Sequence, residues 1–112
     1  KTDFCTFSRN VEKVSKKYPL NPSGYFGEKG KNHRVIVSDN PIETSEDFYK
    51  TISCGGKESQ LSNGKGVQTV FEDGTRIVYR VITSTPDSPA VDITVNIESP
   101  VKKQKIHFIR KD

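Results

Sequence analysis

The hydrophobic period of this chain changes once, near Gly66, and that change limits the folds open to it. Before it, Phe4, Phe7, Val11, Val14 and Tyr18 recur every three or four residues, one stripe of an amphipathic helix. After it, GVQTVFEDGTRIVYRVITS and PAVDITVNI alternate with the period of two that a half-buried strand requires. Helical pattern first and strand pattern afterwards argue an α+β domain with its helices on one face of a sheet.

Local punctuation refines this reading. Asp3 or Thr2 can cap the first helix, and Pro19 stops it. Pro41 after Asn40 suits the first turn of a second helix, with Glu43 placed to close a capping box. Thr44 with Asp47 offers a second start one turn later. Phe48, Ile52 and Tyr49 face inward, and Gly55-Gly56 end the helix. Asp73-Gly74 marks a hairpin between arms at 67–71 and 75–84. The loop TPDSP, the strand PAVDITVNI and a last arm at 103–110 follow. The expectation is one domain over residues 1–112: a helical part at 1–62 with a loop at 19–37, then four antiparallel strands within 63–112. The run VIV at 35–37 is too short to assign.

At 112 residues, 31% hydrophobic and without Met or Trp, the chain can bury one thin core built on aromatic and β-branched side chains. It shows no bilayer-spanning run and no signal-peptide core. It starts at Lys1, so it is expected to be a piece of a longer protein. Cys5 and Cys54 with His33 and His107 match no zinc-finger spacing, so no metal or other cofactor is expected. A single disulfide is open, but the expectation is two buried free thiols on packed helices.

The net charge of +4 is unevenly spread. Residues 1–34 carry eight basic and three acidic residues (+5), and 101–112 carry five and one (+4). The stretches between are acidic: 35–62 carries two and five (−3), and 63–100 three and five (−2). If the two ends meet in space they form one basic surface.

Strand alternation then assigns faces. Ile77, Tyr79 and Val81, the four aliphatic residues of 91–97, and Ile106 and Phe108 point to the helices. Arg76, Arg80, Ser84, Asp92, Thr94, Asn96, Lys105 and His107 point away. Thr83 is formally inward, but a bulge at the strand end would turn it outward. A histidine can give or take a proton near neutral pH, and an arginine can hold a phosphate through two hydrogen bonds. With lysine and hydroxyls, these are the parts needed to cut RNA without metal, through attack of the ribose 2′-OH on the adjacent phosphorus. Such a site spares DNA. The bland reading of the same residues is the solvated side of an antiparallel sheet, with His33 a loop histidine of no role.

The series GYFGEKGKNHRVIVSDNP, EDFYKTISCGG, NGKGVQTVFEDGTRIVYRVITS, SPAVDI and QKIHFI resembles the C-terminal toxin domains of bacterial polymorphic toxins. These end contact-dependent growth-inhibition, Rhs and LXG proteins, and are similar to the barnase–EndoU–colicin–RelE superfamily. The resemblance covers residues 24–110. It implies N-terminal helices on a four-stranded antiparallel sheet, with a ribonuclease site on the exposed face. It implies that the domain is the tail of a secreted or cell-surface effector and cleaves tRNA or rRNA in the cytoplasm of a target bacterium. A cognate, acidic immunity protein would block the site, and a host activating factor stays open as a requirement. No membrane insertion is expected.

On this sequence the roles fall as follows. His107 is the general acid or base, Arg80 holds the phosphate, and Ser84 or Thr83 orients it. His33 is the second proton-transfer group, and Lys105 and Arg34 bind the RNA backbone. No glutamate base stands on the open face, which departs from the barnase pattern. Asp92 reads better as a partner of Arg80. The alternatives are a non-catalytic RNA- or phosphate-binding module, a toxin with DNase activity, and a structural domain.

Overall fold

The structure, a computed structural model, describes residues 5–31, 33–85 and 88–111. Phe4 and the proposed caps Asp3 and Thr2 lie outside the described residues, as do Pro86 and Asp87 of the TPDSP loop. Two helices, α1 (Phe7–Lys17) and α2 (Pro41–Ile52), accompany seven strands. The strands are β1 (Glu28–Lys29), β2 (Arg34–Ser38), β3 (Lys57–Gln60), β4 (Gly66–Val70), β5 (Arg76–Arg80), β6 (Ala90–Thr94) and β7 (Gln104–Arg110). They form one sheet in the order β1-β2-β7-β6-β5-β4-β3.

This corrects the expected four-stranded antiparallel sheet behind N-terminal helices. The sheet has seven strands and is mixed, because β2 runs parallel to β7. Three strands, β1, β2 and β3, lie within the part read as helical, and β1 and β2 come between the two helices. The physical reasons are plain. Strand β2 carries apolar residues on both faces, so it has no alternation to read. Strand β1 has two residues, and β3, KESQ, is exposed throughout, the composition of a blunted sheet edge.

The core lies between α2 and the sheet. Phe48 and Ile52 are fully buried against Ile77, Ile93, Ile106 and Phe108, and the Phe48 ring meets those of Phe26 and Phe108 edge-on. Tyr49 stacks on Tyr79 and shares its hydroxyl with Thr69 and Glu58. Helix α1 begins at Thr6, whose hydroxyl accepts from the Arg9 N–H, and ends at Tyr18. Helix α2 starts once, at Asn40, with Pro41 in its first turn and no second start at Thr44. The Asp73-Gly74 turn closes the β4–β5 hairpin, where the Asp73 carboxylate accepts from the Thr75 N–H. Val81 does not face the helices. Strand β5 ends at Arg80, and Val81 is 40% exposed. Strand β6 likewise ends at Thr94, leaving Ile97 exposed.

The cysteines are joined, not free. Cys5 precedes α1, Cys54 follows α2, and a disulfide links them. Asn10, buried inside α1, reinforces the same junction by donating to the carbonyls of Ile52 and Cys54 at the end of α2. Gly55 turns the chain there with φ +91°, and a Cβ would lie 2.7 Å from the Cys5 carbonyl oxygen.

The disulfide closes a sequence separation of 49 residues. On chain-entropy grounds, its loss in a Cys5→Ser/Cys54→Ser variant should cost roughly 2–4 kcal/mol. Urea denaturation of the wild type with and without reductant measures it, and identical midpoints would show that the bridge contributes nothing. Asn10→Ala leaves two carbonyls without their donor and should cost about 1–3 kcal/mol by the same measurement.

Candidate active site

The outer face of the sheet carries a row of four neighbouring positions. Pairing places Arg80 opposite Ala90, Ala90 opposite His107, and His107 opposite Val35. Ala90 is fully buried between its two large neighbours, so its methyl lets the flanking side chains close together. One step along the same face, Asp92 stands opposite Lys105. Asp92 reaches back diagonally to Arg80, with Oδ2 3.3 Å from Nε. Arg80 Nη2 also donates to Asp92 Oδ1 at 3.5 Å, while the buried Nε faces Oδ2 without hydrogen-bond alignment.

The second imidazole arrives on the parallel strand. His33 immediately precedes β2, and the register Val35↔His107 brings its ring to 4.6 Å from that of His107, centroid to centroid, in an edge-on arrangement. Gly30 sets this turn. Its N–H donates to the His33 carbonyl at 2.7 Å, and a Cβ at Gly30 would lie 2.9 Å from His33 Nε2. On its other side His107 meets Ser88, whose Oγ lies 3.3 Å from Nδ1.

Burial pushes the His107 pKa below its ordinary 6.5, and His33, Arg80 and Lys105 push it the same way, while Asp92 opposes them. The neutral ring is therefore favoured at neutral pH, the form a general base needs. The folded state disfavours the imidazolium, so this contribution is present above pH 6.5 and is lost as the pH falls below it.

The expected site residues divide. His107, His33, Arg80 and Lys105 come together. Thr83 does not face the site as a ligand. Its hydroxyl sits 2.6 Å from the Ser88 carbonyl oxygen and 3.0 Å from that of Thr85, so it fixes the loop that presents Ser88. Ser84 is exposed on that loop, beyond the end of β5. Arg34 donates to the carbonyls of Phe26 and Gly27 and lies over the Tyr25 ring, which makes it a clasp for the preceding loop. Ser88 escaped the sequence reading because a loop serine carries no periodic signal; the SPAVDI run that contains it offered the only hint.

Beside the histidines, the two basic ends of the chain do meet. An open cleft of about 520 Å³ is lined by Tyr25, Lys29, Lys31, His33, Arg34, Lys103 and Lys105, among others, with no carboxylate in its described lining. Among the described residues, no group of three or more His, Cys, Asp or Glu is placed to hold a metal ion, and no helix is long and apolar enough to cross a membrane. Comparison with known proteins finds no matching family model, no matching curated protein and no matching solved structure.

Two outcomes test this geometry. Asp92→Asn should lower the His107 pKa further and Lys105→Ala should raise it, read from the imidazole proton shifts in an NMR titration. Opposite signs would mean that these charges do not face the ring. Gly30→Ala should move the His33 ring with little change in melting temperature, because a movable side-chain end yields first. Unaltered chemical shifts of both imidazoles would contradict that.

Proposed function

We propose that this domain is a metal-independent endoribonuclease acting as an antibacterial toxin. The carrying observation is the meeting of His33 and His107, 74 positions apart by number, beside Arg80 and Lys105 on one open face. In this reading neutral His107 takes the proton from a ribose 2′-OH. The oxygen attacks the adjacent phosphorus, and the bond from phosphorus to the 5′-oxygen breaks. Protonated His33 gives its proton to that leaving oxygen. The products are a 2′,3′-cyclic phosphate and a 5′-hydroxyl. Arg80 and Lys105, the cations beside His107, stabilise the charge that builds on the phosphorane. Rings 4.6 Å apart leave no room for a phosphate between them, so the phosphate lies against their exposed edges. Ser88 fixes the His107 ring from the opposite side.

The biological setting belongs to the same proposal. The domain would be the tail of a secreted or surface effector and act on tRNA or rRNA in the cytoplasm of a target bacterium. An acidic immunity protein would cover the cationic site and associate rapidly with it. The competing reading, a phosphate-binding module without catalysis, draws on the basic cleft alone.

Total bacterial RNA incubated with the protein in EDTA decides between them. Discrete fragments ending in 2′,3′-cyclic phosphate are expected, with the rate falling by roughly 10²–10⁴ in His107→Ala and in His33→Ala. A bell-shaped pH profile should lose one limb in each variant. RNA left intact by the wild type, both alone and with added cell extract, sinks the nuclease in favour of the binding module. Toxicity is tested by induced expression in a bacterium, where the wild type should arrest growth and His107→Ala should not.

A further inference from the structure

The cleft beside the histidines has more structure than a diffuse basic patch. We infer that it is a binding tract for single-stranded RNA, leading away from the His33–His107 pair along Lys105 and Lys103 to a stacking position at Tyr25. The location of the scissile phosphate rests on the nuclease reading above; the tract itself does not.

Three observations carry this. First, Lys103, Lys105 and His107 succeed one another at every second position into and along β7, and both lysines line the cleft. Alternate residues of a strand lie about 6.6 Å apart, the scale of one nucleotide step, so Lys103 and Lys105 can meet consecutive phosphates on the way to the neutral His107 ring. Second, Lys29 and Lys31 line the same space, across from the lysines of β7. Third, Tyr25 lies in the lining with the Arg34 guanidinium 5.1 Å from its ring centroid. An aromatic ring backed by a cation within a positive groove is how single strands are held without sequence readout. A duplex keeps its bases stacked inside and offers none to Tyr25.

The platform is also built firmly. The Tyr25 N–H donates to the Asn21 side chain, and its carbonyl accepts from the Asn21 N–H. Gln104 clamps the loop to the start of β7, donating to the Gly24 carbonyl and accepting from the Phe26 N–H. Gly24, at φ +94°, lies so close to Pro100 that no other residue fits. A preordered platform loses little freedom when a base stacks on it.

The test is binding of a mixed-sequence 2′-O-methyl oligoribonucleotide, single-stranded or annealed to its complement, measured by fluorescence anisotropy across a salt series. This probe lacks the free 2′-OH and is bound without being cut. The single strand should bind at least tenfold more tightly than the duplex. Tyr25→Leu should weaken it roughly tenfold, and Tyr25→Phe, which keeps the ring, should stay within about twofold. In Lys31→Ala/Lys103→Ala the slope of log affinity against log salt should fall by about 1.4, two phosphate contacts at roughly 0.7 each. Equal binding of duplex and single strand, equal losses in the Leu and Phe variants, or an unchanged salt slope would each overturn the tract. Bound probe with no cleavage of ordinary RNA, alone or with added cell extract, would end the nuclease reading and leave the tract standing. Cleavage with binding indifferent to these variants would do the reverse.

Discussion

The parallel pairing of β2 with β7 is the contact on which the rest of the molecule depends. It is the only parallel pair among the described residues, and it joins a segment near residue 36 to the last strand. Its hydrogen bonds set the register that carries His33 to His107. They also bring the basic N-terminal third of the chain against the basic C-terminus. A one-residue slip would turn His107 into the core and Phe108 out of it, which the buried ring contact between Phe48 and Phe108 forbids. The position of the chemistry is thus fixed by core packing on the opposite side of the same strand.

A parallel neighbour needs a crossover, and α2 supplies part of it by packing over β2, β5, β6 and β7. Helix α1 in turn packs on α2 and is tied to its end by the disulfide and by Asn10. The helical layer is therefore braced at its own junction. The histidines lie on the other face of the sheet. Stability and candidate chemistry occupy separate faces, so changes on one should reach the other through the strands that α2 covers, β2, β5, β6 and β7.

The sequence disclosed those parts of the fold that repeat a strong period. The α1 stripe, the Asn40–Pro41 start of α2, the Asp73-Gly74 hairpin and the alternation of 104–110 all read directly. The missing strands were those whose residues carry no single-faced pattern, namely β2 with both faces apolar and β3 with none. The charge blocks held the same information in another form, since two basic ends separated by acidic stretches meet where β2 joins β7. For the candidate site, His107, Arg80 and Lys105 followed from alternation on adjacent strands. The arrangement of His33 and Ser88 could not, because each sits in a loop whose placement is decided by long-range pairing. Arg34 lines the basic cleft as expected of a backbone contact, and two of its donors also hold the carbonyls of Phe26 and Gly27.

The electrostatics around His107 are unfavourable to a charged ring and favourable to an anion. Burial, His33, Arg80 and Lys105 all oppose its protonation, and Asp92 favours it. That same carboxylate is also the ion-pair partner of Arg80, so it cannot serve both cations fully. A phosphate placed against these groups would relieve the conflict. It would offset the crowding of cations around the ring. By linkage, whatever anion the cluster binds must raise the proton affinity of the imidazoles beside it. In the proposed nuclease, a base kept neutral before the substrate arrives would gain proton affinity when the substrate binds, and the electrostatic conflict around the free ring would favour proton transfer.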